Sequence, residues 1–349
     1  MNEMRTYRDK LTGVAITQYT AGPMRNAKLY FTTENFTVDD RYFFFNREND
    51  GLYRCEVETG ELRKMADAAQ YSGFAMDRWG NWGVMSRRDG AVCRLDCGSG
   101  EITELGFLPA GGHITGHLTT ANTGRVACSY QLSNMIFALV ILDPGHKDGE
   151  IVHMSDYHLG HAQICPSDEN LIFYIHETGG DALQRTWMYD IAARASRPYY
   201  VEKWGDWITH EVWSADGEEM ALMRMPDVWT GDKDGHVFRL EAHSRRTMHH
   251  PCLSRDRRFI CADTFALNLK HVDGKGVVRD ESVEELGPAV LLFDRKTGRE
   301  TEIAVTNVPK TGDDHLHPSF NRKGDKILFS NPDDNGVAQV CVADISGII

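Results

Sequence analysis

Val38-Asp39-Asp40-Arg41-Tyr42-Phe43-Phe44-Phe45, followed by Gly51-Leu52-Tyr53-Arg54-Cys55-Glu56-Val57 and then Glu58-Thr59-Gly60-Glu61, decides the fold. It reads as a polar turn, an apolar strand, a hairpin return and a second turn. The pattern recurs at once. Met76-Asp77-Arg78-Trp79-Gly80-Asn81-Trp82-Gly83-Val84 leads to Ala91-Val92-Cys93-Arg94-Leu95-Asp96 and Gly98-Ser99-Gly100-Glu101. Further copies open near Asn122, at Ser167-Asp168-Glu169-Asn170, at Ser214-Ala215-Asp216-Gly217, at Ser254-Arg255-Asp256-Arg257 and at Asn321-Arg322-Lys323-Gly324-Asp325. Seven copies, spaced by about 40–50 residues, have the period of four-stranded propeller blades. A pair of β-sandwiches would not repeat at a fixed interval. The sequence therefore predicts an all-β, seven-bladed β-propeller, a single domain over residues 1–349.

Outward from these copies, Gly13-Val14-Ala15-Ile16-Thr17-Gln18-Tyr19 is one strand too many before the first. Its expected place is in the last blade, where it closes the ring and removes an exposed sheet edge. The sixth copy carries an insertion, about Leu267 to Leu286, whose polar composition predicts a surface loop at the rim of a cleft.

Composition bounds the function. Hydrophobic residues make up 41% of the 349 and charged residues 26%, an ordinary globular balance. The formal net charge is −13, which argues against nucleic acid and anionic membranes as partners. It also means that an acidic substrate would need a locally basic pocket. The polar start Met1–Lys10 lacks the apolar core of a secretory signal, and no run is apolar and long enough to span a bilayer. The eight cysteines are scattered without a C-x-x-C pair, as expected of reduced, mostly buried thiols in a cytoplasmic protein.

The fifteen histidines are concentrated at matching places. His113 and His117 precede the third copy, and His158 and His161 the fourth. His210 precedes the fifth, His249 and His250 the sixth, and His315 and His317 the seventh. In a propeller such positions converge on one end of the central channel. His315-Leu316-His317 on an extended segment would aim both imidazoles the same way. With His250 they would offer three nitrogens from adjacent blades, a set suited to Mn, Fe, Zn or Ni. Spacing alone equally allows ordinary hydrogen-bonded histidines. Arg185, just before an apolar strand, reads either as a surface charge or as a clamp for a carboxylate. His176-Glu177 and His210-Glu211 lack the second histidine of H-E-x-x-H, so neither is a zinc-protease motif. No nucleophile elbow, phosphate loop or dinucleotide fingerprint is present.

One family fits these residues together. Gly160-His161-Ala162-Gln163-Ile164-Cys165-Pro166-Ser167-Asp168, running on to His176-Glu177, resembles the G-H-x-Q-x-x-P-x-D stretch and His-Glu pair of the oligogalacturonate lyases, polysaccharide lyase family 22. Arg185-Thr186-Trp187 resembles that family's R-x-W, and His210-Glu211-Val212-Trp213-Ser214-Ala215-Asp216-Gly217 its H-E-F-W-S-x-D-G. His249-His250 resembles its Asn-His, and His315-Leu316-His317-Pro318-Ser319-Phe320 its H-x-H-P-S-F. The order is kept over nearly the whole chain.

The resemblance implies a seven-bladed propeller with a divalent ion, typically Mn2+, that cleaves oligogalacturonides by β-elimination. It implies His210 as the base, Arg185 as its electrostatic partner at the substrate carboxylate, and His250, His315 and His317 as metal ligands. His113, His117, Gln163, His176 and Trp213 are candidate contacts to the acidic oligosaccharide. Two places depart from the pattern. Gly312 stands where the family has a fourth ligand, Gln, leaving Asp313, Asp314 or water to take that place. Thr178-Gly179-Gly180 stands where the family has Gly-Pro-Trp. The same site could also serve an isomerase, epimerase or hydrolase of a modified sugar acid, or a propeller that binds without catalysis.

Overall fold

The structure, a computed structural model, describes residues 3–265, 268–272, 275–282, 286–309 and 315–349. Gly312, Asp313 and Asp314, where the fourth metal ligand was sought, lie outside the described residues.

The described strands form seven antiparallel sheets in a ring, a seven-bladed propeller, with one small extra hairpin. Blade one is Asn26–Lys28, Tyr42–Arg47, Gly51–Glu56 and Leu62–Asp67 from the axis outward. Six of the blades run from axis to rim in chain order. Blade seven is completed by the other end of the chain. Its strands Ser319–Phe320, Lys326–Pro332 and Ala338–Asp344 are joined by Ala15–Gln18, with Ile16 opposite Ala343 and Gln18 opposite Cys341. The additional N-terminal strand thus closes the ring, as its sequence predicts. Among the described residues there is no helix, and so none long and apolar enough to cross a membrane.

The core lies between blades rather than within them. Seven apolar clusters are present among the described residues, one wedged between each pair of neighbours. The strands supply β-branched and aromatic side chains to both faces because each blade packs on two others. At the closure, Ile16 is buried among Phe259, Leu292, Phe329 and Cys341. Ile16→Ala is expected to cost about 2–5 kcal/mol, the usual range for emptying such a site. Urea denaturation measures it, and a loss under ~1 kcal/mol would mean that the closing strand carries little of the stability.

Two expectations need correcting. The turn that opens each sequence copy lies after a blade's innermost strand, so the strand read first is the second from the axis. The innermost strands escaped notice because they are short and interrupted. Register shifts break Tyr71–Met76, Leu159–Cys165, Ile208–Trp213 and Met248–Leu253. A bulge of this kind destroys the two-residue alternation by which strands are recognised. The insertion in blade six is not simply a loop. Leu269–Val272 and Gly276–Arg279 pair as a hairpin, and Leu269 and Val277 pack on the core between blades five and six. All eight cysteines are free, seven of them buried, as expected.

Candidate functional site

The bulges build the site. Each carries a residue at positive φ: Gly73 in blade two, His161 in blade four, His210 in blade five and His250 in blade six. His317 holds the same conformation just ahead of Ser319–Phe320 in blade seven. For a side chain other than glycine this region costs on the order of 1–2 kcal/mol. Four imidazoles accept that cost at matching places. The local kink turns each one off the strand's alternation and toward the axis.

His250, His315 and His317 come together. Ring centroids lie 4.1 Å apart for His250 and His317, 4.8 Å for His250 and His315, and 5.6 Å for His315 and His317. Leu316, between the two, is buried in the core, so His315 and His317 share one side as the H-x-H spacing predicts. Sequence reasoning missed Asp263. Its carboxylate accepts hydrogen bonds from His250 Nδ1 at 2.9 and 3.1 Å and from the backbone N–H of His317 at 2.9 Å. Burial alone would raise its pKa, but the neighbouring His250 and its hydrogen bond outweigh that and hold the carboxyl well below the usual range. Ligand atoms of His250, Asp263 and His315 all lie within 4.8 Å of one another. Because Asp263 spends both oxygens on His250 and His317, it stands behind the imidazoles and fixes them, leaving His250 Nε2 for a cation. Imidazole donors fit a divalent transition-metal ion, zinc, iron or nickel by softness and manganese as a harder alternative.

His210 adjoins this group, its ring 4.1 Å from that of His250. Its Nε2 lies 3.0 Å from His249 Nδ1, while its Nδ1 is buried without a hydrogen-bond partner. Burial first, and then the surrounding imidazoles, push its pKa well down. The ring is therefore neutral at ordinary pH and holds a lone pair to which a proton can be given.

Arg185 departs from one of its two sequence readings. It is not a surface charge: its side chain is 1% exposed, and protein carboxylates hold its Nε and Nη1. Nε donates to Glu211 at 2.9 Å and Nη1 to Glu177 at 3.0 Å. The same two glutamates bracket His161, with Nδ1 3.1 Å from Glu211 and Nε2 3.6 Å from Glu177. The four side chains form a closed ring of charge. The signal for it in the sequence is the two His-Glu pairs, which match the resembled family's pattern but do not themselves point to a shared arginine. Burial opposes ionisation of Glu211, but Arg185 and the hydrogen bond from His161 bring its pKa down to about 2. A carboxyl depressed in the folded state stabilises the fold above its ordinary pKa, about 4.3, and that contribution fades as pH falls toward the folded value. Glu211→Gln is accordingly expected to cost about 3 kcal/mol at neutral pH and to flatten the loss of stability between roughly pH 4 and 2. Denaturation midpoints at several pH values measure both, and an unchanged acid limb would count against the ring.

The remaining predicted residues divide. His117 stacks on Tyr30 at 4.4 Å, and burial followed by His161 lowers its pKa to about 4. Gln163 Nε2 donates to the Glu211 carbonyl, and its Oε1 is buried without a partner. Both line one cavity with Tyr30 and His161. His176 packs on Tyr157 at the end of Asp168–His176. His113 is exposed in the short strand His113–Ile114. Trp213 is buried between blades four and five, and lines a different cavity farther along the channel.

Tyr30 and Phe31 are a further surprise. They follow the first strand of blade one, yet Tyr30 meets rings from His117, His161, His250 and His317, on four other blades. Phe31 packs in the core between blades five and six and lies against His210, His250 and His317. The pair therefore fills the axis as a floor beneath the histidines. The unusual length of the Leu29–Arg41 connection was the only signal.

No family model matches the chain. It is 24% identical over 221 residues to an oligogalacturonide lyase of Pectobacterium atrosepticum, an alignment covering 58% of this chain and 54% of that protein. It is 21% identical to an oligogalacturonate lyase of Dickeya dadantii over 93% of this chain and 92% of that one. A solved oligogalacturonate lyase in complex with manganese superposes with a TM-score of 0.83 at 18% identity, over 98% of this chain and 96% of the other. Over nearly its whole length, then, the chain resembles the oligogalacturonate lyases in sequence, and it has their fold.

Proposed function

We propose that the chain is a lyase that cleaves short, oligogalacturonide-like uronic-acid oligosaccharides by β-elimination. The observation that carries this reading is the meeting of His210, a neutral, half-buried imidazole, with His250, His315 and His317 over one floor. The likeness to lyases named for this substrate supports it.

The C5 proton of a uronate is weakly acidic, and its removal places negative charge next to the carboxylate. In the tautomer whose Nε2–H donates to His249, His210 Nδ1 is the atom that accepts this proton. The C5–H electrons become the C4–C5 double bond as the C4–O bond breaks, and the leaving oxygen is protonated. His250, His315 and His317 would hold the divalent metal, Mn2+ by analogy with the manganese complex, and when bound it supplies positive charge for the substrate carboxylate. Asp263 fixes the imidazoles behind it. Arg185 acts at one remove. It holds Glu211 and Glu177 around His161, and so shapes the wall that carries Gln163. His117 and Gln163 line the cavity beside Tyr30 and are the candidate contacts to the sugar.

The assay is the ultraviolet absorbance of the 4,5-unsaturated uronide when oligogalacturonide and Mn2+ are supplied, joined to the product's mass. The expected products sum to the mass of the substrate. A product mass increased by one water would reveal hydrolysis, and no turnover across a panel of uronides would defeat the proposal.

A further inference from the structure

The channel has a second chamber beyond Tyr30 and Phe31, and its chemistry is opposite to that of a protein with net charge −13. Arg78, Arg255 and Arg322 each stand two residues past the end of an innermost strand, in blades two, six and seven. They converge on a cavity of about 40 Å3. Glu34 is the one acidic residue in its lining. It lies 3.2 Å from Arg322 and 3.8 Å from Arg255, leaving two positive charges in excess.

The donors are unevenly used. Arg322 is spent, donating to the carbonyls of Phe36, Arg78 and Asp77. Arg255 gives one hydrogen bond, to the Arg78 carbonyl at 2.7 Å. Arg78 makes only long contacts, 3.4 Å to the Thr32 carbonyl and 3.5 Å to that of Ser214. Burial first, and then the neighbouring guanidinium of Arg255, press its pKa downward. Two further donors are buried in the same lining without partners, the Ser319 hydroxyl and the Trp213 indole N–H. Buried polar groups are nearly always satisfied, so two orphaned donors beside under-used guanidiniums mark a place shaped for an acceptor.

We propose that this lower chamber binds a compact oxyanion, a phosphate or a carboxylate, through Arg78, Arg255, the Ser319 hydroxyl and the Trp213 indole N–H. Charge-assisted hydrogen bonds from guanidinium to such an anion are among the stronger polar contacts available to a protein. His210, His250, His315 and His317 line none of this chamber, although Arg78 also lines the cavity of His117 and His161, and the proposal does not depend on the reaction proposed for those histidines.

The test uses the full chain, dialysed into a chloride buffer of fixed ionic strength and melted against rising inorganic phosphate or, in a second arm, sodium galacturonate. A saturable rise in Tm is expected in one arm or both, with the apparent affinity at least tenfold weaker in Arg255→Met. Ser319→Ala removes only a hydroxyl that has no protein partner. It is expected to fold normally and to weaken binding several-fold, which keeps the proposal testable should Arg255→Met misfold. A response to galacturonate alone identifies a carboxylate, and one to phosphate identifies the tetrahedral anion. No saturable response in either arm, or responses the same in wild type and Ser319→Ala, would overturn the proposal.

Discussion

Replacing His210 with asparagine is expected to lower kcat for unsaturated-uronide formation by about 10²–10⁴-fold, the usual contribution of a positioned proton acceptor. Asparagine is chosen because position 210 sits at φ 57°, a conformation that Asn tolerates better than Ala. The fold should survive, and the melting temperature serves as the control. The deficit belongs in kcat, because the imidazole acts on the C5 proton during the chemical step and adds little to ground-state binding. An increase in KM at unchanged kcat would instead make His210 a binding residue and leave the base unidentified.

The second large effect concerns the cation. His315→Ala is expected to weaken Mn2+ binding by at least about a hundredfold, since losing only a ligand's orienting partner typically costs about 10–100-fold. Asp263→Asn should fall within that smaller range, because its carboxylate holds His250 through Nδ1 and His317 through the backbone. Isothermal titration with Mn2+ reads both directly, without reference to turnover. Equal affinities in wild type and His315→Ala would remove the metal from this site. Chelation of the wild-type protein should abolish activity, and added Mn2+ should restore it.

The sequence carried the blade count because turns and strand hairpins are local chemistry. Asp, Asn and Gly at the turns and aromatic runs such as Tyr42–Phe45 recur at a readable interval. The closing strand was legible for the same reason. The innermost strands were not, since a left-handed residue and a register shift leave no simple period. The meeting of His210, His250, His315 and His317 was readable because corresponding positions in a propeller share an axis. What surrounds them was not. Asp263 lies in the apolar run Phe259–Thr264, and only the low odds of an unpaired carboxylate in a buried strand hint at a partner. His161 and Glu211 come from two strands in different blades, and Glu177 and Arg185 from the turn between two others, so their closed ring depends on tertiary placement. Tyr30 and Phe31 together reach five other blades from a connection that carries no motif at all.

That aromatic floor also constrains traffic. With the bore stoppered by Tyr30 and Phe31, a sugar chain cannot thread from one face to the other, and whatever enters above the histidines must back out the same way. A blind-ended site of this kind favours short chains or chain ends over the middle of a polymer. Product leaving by that face also occupies the entry used by the next substrate, so inhibition by product should be competitive.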